Sequence, residues 1–157
     1  MDGLKRDEWV NVEGTDFESV ERTLTTALVT WSAASVVIGT SLALVGHQTK
    51  KDQLKKFGRQ NAAWGVVDAV IAGAGVLSRS RREPLSREQK AKKARSLRTL
   101  LLANAAADVG YVAGGLVIAA RGRNGGSTLG MGAGDGAAIA LQGAFLLVLD
   151  LSQAQRL

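Results

Sequence analysis

Apolar residues gather in four long runs, at about 23–46, 60–77, 99–120 and 128–151, and polar residues gather between them. A helical run of 18 or more mainly apolar residues reaches across a hydrocarbon core of about 30 Å. Four of them predict an all-α polytopic membrane protein with four transmembrane helices in an antiparallel bundle. A soluble bundle would carry charge on its water-facing side every three or four residues. The runs at 23–46 and 99–120 have no such stripe.

Local signals punctuate the runs. Thr15 and Glu18 have capping-box spacing, and so do Ser86 and Gln89 just after Pro84. The first pair predicts a helix starting at Thr15 and ending near Gly46, a suitable C-cap. The second predicts a helix that starts at Ser86 and continues without a break into the third run. The stretch 47–59 reads as a basic connection. Trp9, Val10 and Val12 suit the headgroup level, where Trp is enriched. Gly130, Gly132, Gly134 and Gly136 alternate at the start of the fourth run, which they would loosen or bring close to a neighbour. No strand precedes them and the spacing is not that of a dinucleotide fingerprint. Asn61-Ala-Ala and Asn104-Ala-Ala are alike but do not stand at corresponding places, and no internal repeat is apparent.

Charge then orients the picture. The first 22 residues hold seven Asp/Glu against three Lys/Arg, the wrong sign for a secretory leader, so the first helix is expected to be retained. Segment 79–98 carries nine Lys/Arg. Together with the N-terminal segment and the tail it gives one side thirteen Lys/Arg, against seven in the other two connections. The positive-inside bias therefore places both termini in the cytoplasm of a cell that carries the protein in its plasma membrane. Arg87, Lys90, Lys92, Lys93, Arg95 and Arg98 suit anionic lipid headgroups, or equally a plain solvated segment that only sets orientation. No aromatic residue interleaves with them, which argues against nucleic acid.

The chemistry lies inside the runs. Asp68, Asp108 and Asp135 stand there without an intrahelical cation, and intramembrane carboxyls mark polar interiors or ion paths. Helical spacing puts Asn61, Trp64, Gly65 and Asp68 on one face, and Asn104, Asp108, Tyr111 and Gly115 on another. Asp135 shares a face with Gln142, and Trp31 with Ser35. At about 1.5 Å per residue, Asp68, Asp108 and Gln142 fall near mid-membrane, Asp135 somewhat outward, and Asp150 at the cytoplasmic edge among headgroups. A polar cluster of Asn61, Asp68, Asn104, Asp108, Tyr111, Asp135 and Gln142 follows.

Three roles fit such a cluster. Neutral or proton-sharing carboxyls would act as structural glue, a charged set would bind or conduct a proton or hard cation, or the acids would pair with a partner subunit. There is no cysteine, nucleophile elbow, P-loop or zinc spacing, and His47 stands alone at a helix edge. The expected protein is thus non-enzymatic and without cofactor or metal. It is structural or accessory, with a proton or cation pathway as the alternative. Its Gly/Ala-rich faces suit self-association or a larger membrane complex.

Three motifs carry a resemblance. Gln60-Asn-Ala-Ala-Trp-Gly-Val-Val-Asp68, Asn104-Ala-Ala-Ala-Asp108-Val-Gly-Tyr111 and Gln142-Gly-Ala-Phe-Leu-Leu-Val-Leu-Asp150 resemble a family of small four-helix integral membrane proteins of bacteria and archaea, a domain of unknown function. The likeness spans roughly 24–151. It implies the four-span topology and no particular activity. Members of that family often carry Asn where this chain has Gly65 and Asp68, which weighs against an essential charge at Asp68.

Overall fold

The computed structural model describes residues 4–157, with side chains from Phe17 onward. The expected headgroup placement of Trp9, Val10 and Val12 lies outside the described side chains. The described residues form four helices: α1 Leu4–Gln48, α2 Asp52–Ser80, α3 Arg87–Arg123 and α4 Ala133–Ala154. All four are long and apolar enough to cross a membrane.

The helices are longer than the apolar runs, for local reasons. α1 passes straight through Thr15, so the capping-box pattern there does not start a helix. At its other end Gly46 is not the cap. Lys50 takes the left-handed conformation, its N–H donates to His47 O, and Lys51 N–H donates to Gly46 O, a Schellman closure. Only residues 49–51 connect α1 to α2. The expected basic connection 47–59 is therefore mostly helix, and Lys55, Lys56 and Arg59 belong to α2. Asp52 in its first turn favours this, complementing the helix dipole and pairing with Lys56 at 3.5 Å. The start of α3 follows the expectation: Ser86 Oγ accepts from Gln89 N–H, and Gln89 Oε1 accepts from Ser86 N–H. α4 begins at Ala133, not near residue 128, because Leu129 and Gly130 both adopt positive φ in a turn closed by Thr128 and Met131.

α1 packs on α2 and α3 on α4, giving two hairpins. α2 joins them by packing on α4, α1 touches α3 and α4 more lightly, and α2 meets α3 through side chains without close backbone approach. Glycine sets the close approach within each hairpin. A Cβ on Gly39 would strike Ala62 N and Gly58 O, and one on Gly58 would strike Ala43 N and Gly39 O. In the second hairpin a Cβ on Gly115 would strike Ala140 N and Gly136 O, and one on Gly136 would strike Ala119 N and Gly115 O. Each helix thus contributes one Gly-x-x-x-Ala step, the small-residue spacing that lets membrane helices meet backbone to backbone.

The match extends a heptad in both directions. Gly46 abuts the Lys55 backbone as Gly122 abuts that of Ala133. Gly65 abuts Ser32 O and the Ser35 side chain as Gly143 abuts Asp108 O and the Tyr111 side chain. The two hairpins repeat one plan at an offset of 76 positions for α1 to α3 and 78 for α2 to α4. Sequence inspection misses the repeat because backbone contacts hold only the small residues fixed.

Candidate functional site

The interior is polar where the outer surface is apolar. Val37, Val70 and Val148 are each about two-thirds exposed, while Asp68, Asp108 and Gln142 are at most 3% exposed. This follows from the helix faces: Asn61, Gly65 and Asp68 of α2 lie on its buried side, as do Asp108 and Gly115 of α3 and Ala138 and Gln142 of α4.

The centre holds a hydrogen-bond relay across three helices. Trp31 Nε1 of α1 donates to Gln142 Oε1 of α4 at 2.7 Å, and Gln142 Nε2 donates to Asp68 Oδ2 of α2. Phe145 stacks on Trp31 with centroids 4.0 Å apart and planes within 5°, fixing the indole that starts the relay. Asn61 Nδ2 donates to Ser35 O at 3.2 Å, tying α2 to α1.

Beside the relay lies a cavity of about 260 Å³ lined by Asp68, Asp108, Asp150, Asn104, Trp64 and Tyr111, with Leu28, Ile71 and Leu146 as its aliphatic walls. Trp64 and Tyr111 meet edge to face at 5.5 Å. Asp108 Oδ2 and Trp64 Nε1 are buried there without hydrogen-bond partners. A second cavity of about 290 Å³ adjoins it, sharing Leu28, Ile71, Asn104 and Asp150, and extends to Glu21, Thr25 and Arg79. Asn104 and Tyr111 are exposed, on the side where the α2 and α3 backbones stand apart and Trp64 and Tyr111 bridge them.

Basic residues sit at the Glu21 end of this second cavity. Arg79 Nη1 donates to Glu21 O and Thr25 Oγ1, and Arg82 forms a two-pronged pair with Glu21 at 3.0 and 2.6 Å. The Glu21 carboxylate raises the Arg82 pKa further above its ordinary value, chiefly by hydrogen bonding. The Arg82 guanidinium also sits 5.6 Å over the Phe17 ring.

The expected cluster is therefore redrawn. Asp68, Asn104, Asp108 and Tyr111 share the cavity, Gln142 reaches it through Asp68, and Asn61 stands apart on the α1 contact. Asp135 is elsewhere. Its Oδ2 accepts from Gly132 N–H at 2.9 Å in the first turn of α4, where a carboxylate suits the helix dipole, and Gln53 Oε1 of α2 accepts from Gly134 N–H. Asp150 takes its place: 7% exposed, it lines both cavities instead of facing headgroups. Its spacing from Gln142, two steps of four, already put it near the polar stripe, but estimated depth favoured the edge.

The six basic residues also divide. Lys90 pairs with Glu18 at 2.8 Å, and Arg98 Nε donates to Ala154 O. Arg87, Lys92, Lys93 and Arg95 are exposed, and none forms an ion pair among the described residues.

Residues 27–151 match the model of a family of unknown function, DUF6992. No curated protein and no solved structure matches the chain. The match covers well over half of the sequence, so the chain belongs to that family.

Proposed function

We propose that this member of the DUF6992 family is a non-enzymatic, four-span antiparallel protein of the plasma membrane whose acidic cavity takes up protons or cations from the cytoplasmic side. Four apolar helices with apolar outer faces and buried carboxyls support insertion, since lipid cannot satisfy acids and amides. The Lys/Arg excess on segments 1–22, 79–98 and the tail supports cytoplasmic termini. On that orientation the cavities run inward from the cytoplasmic end, and Arg87, Lys92, Lys93 and Arg95 meet anionic headgroups.

The observation that carries the reading is Asp108. It lies 3% exposed on a cavity wall, with one carboxyl oxygen bonded to nothing and two further carboxyls on the same cavity. Most buried polar atoms find partners, and two that have none, Asp108 Oδ2 and Trp64 Nε1, meet on this same cavity, whereas the likewise unpartnered Asn61 Oδ1 and Thr128 Oγ1 lie away from it. Asp68, held by Gln142, fits the structural role instead, which supports a supporting function for that part of the interior. Gly110 and Gly114, four apart on α3, have no atom within 4 Å of a built Cβ, and this spacing suits self-association in the bilayer.

Reconstitution in liposomes tests the reading. A pH- or cation-driven flux that Asp108→Asn abolishes and Asp135→Asn preserves is the expected result. No flux from wild-type protein, and no protonation change of Asp108 in infrared titration, would refute it.

A further inference from the structure

We infer that the cavity binds a small organic ammonium ion carrying apolar substituents. The inference rests on the reading of that cavity as a site for positive charge, and it names the class of ion.

The sign of the ligand comes from the lining. Three carboxyls and no basic side chain face the inner cavity. Arg79, the basic side chain that lines the adjoining cavity, is committed to Glu21 O and Thr25 Oγ1. Its organic character comes from size and geometry. No three acidic side chains among the described residues converge closely enough to hold a metal ion. The carboxyls are spread along walls that enclose about 260 Å³. A bare proton needs neither that volume nor that lining. An ion with a hydrocarbon body uses both, because Leu28, Ile71 and Leu146 offer apolar contact while Trp64 and Tyr111 add two aromatic side chains to the wall.

The two unsatisfied groups complete the match. Asp108 Oδ2 awaits a positive partner, and Trp64 Nε1 awaits an acceptor, which a ligand hydroxyl or an accompanying water supplies. The α2 and α3 backbones stand apart, bridged by Trp64 and Tyr111, and the exposed Asn104 on the cavity wall marks the side from which an amphipathic ion would enter.

The test uses the full chain in nanodiscs of zwitterionic lipid, with benzyltrimethylammonium as probe and benzyl alcohol as its uncharged counterpart, read by calorimetry. Saturable binding of the ammonium, and of it alone, is expected. Asp108→Asn should weaken it about tenfold or more, as loss of a desolvated charge partner does. Trp64→Leu should weaken it about three- to tenfold. Asp135→Asn, outside the cavity, should leave it unchanged. Ala107 also lines the cavity, so Ala107→Trp adds bulk there without altering charge and should also block binding, which covers the case where a charge variant fails to fold. Equal affinity of wild type and Asp108→Asn, or binding of benzyl alcohol as tight as the ammonium, overturns the inference. If infrared titration shows Asp108 exchanging protons while the ammonium does not bind, the inference fails and the proton reading stands. If neither occurs, both fail.

Discussion

Gln142 donates from its side-chain nitrogen to the Asp68 carboxylate, and the two residues, 74 positions apart, join the two hairpins at the centre of the bundle. Because the other end of the same amide accepts from Trp31, one side chain satisfies groups on two helices. Gln142→Leu leaves the buried Asp68 and the half-buried Trp31 Nε1 unpaired. We expect it to lower stability by about 1–3 kcal/mol. In a thermal denaturation cycle in detergent, adding Asp68→Leu should recover part of that loss. Strictly additive losses would mean that the pair is not coupled.

Two neighbouring glycines on α3 should behave in opposite ways. Gly115 has Ala140 N and Gly136 O where a side chain would go, whereas Gly114 faces open space. Gly115→Leu should prise the second hairpin apart, costing at least about 3 kcal/mol, and Gly39→Leu should do the same to the first. Gly114→Leu should keep the fold. If the outer face of α3 mediates self-association, it should also reduce the particle to a monomer in size-exclusion chromatography with light scattering. Equal tolerance of leucine at 114 and 115 would contradict the hairpin packing.

Accessibility gives an independent view of the cavity. The chain has no cysteine, so single replacements report without background. Leu97→Cys, on the wall of the second cavity, and Asn104→Cys should react with a small impermeant thiol reagent added from the side of the termini, and Tyr111→Cys more slowly. Ala138→Cys, with no exposure, should stay unlabelled. Labelling of Asn104→Cys from the opposite side alone would reverse the orientation.

The basic start of α3 makes a prediction about lipid. Neutralising Arg87, Lys92, Lys93 and Arg95 with Gln should reduce the anionic lipid retained through purification, at about 1 kcal/mol of attraction per residue near the surface. Lys90→Gln should do less, because that ammonium is already paired with Glu18. Unchanged lipid in mass spectrometry of the fourfold variant would remove the headgroups as partners of this surface.

The cavity illustrates how a repeated scaffold acquires one site. Asp108 and Tyr111 in the second hairpin occupy the places that Ser32 and Ser35 occupy in the first, each pair lying against the glycine of the facing helix. Both hairpins share the backbone plan, but only the second carries the acid and the phenol. The polar face of α3 was readable from spacing alone. That its counterpart on α1 bears two small hydroxyls emerges only when the hairpins are compared in three dimensions.

The sequence by itself determined the four apolar helices, the cap at Ser86, and the face of each helix on which its polar residues gather. These depend on hydropathy, on side chains bonding to backbone within three residues, and on the 3.6-residue period, all of which act within one segment. Tertiary structure alone decided which acids meet. Periodicity fixes a residue's bearing about its own axis but leaves open which helix faces it and how far that helix slides. Glycine contacts between backbones settle the sliding, and they bring Asp150 beside Asp108 while leaving Asp135 to cap its own helix. The separation of α2 from α3, which opens the cavity, likewise comes from how the hairpins dock and from no single stretch of chain.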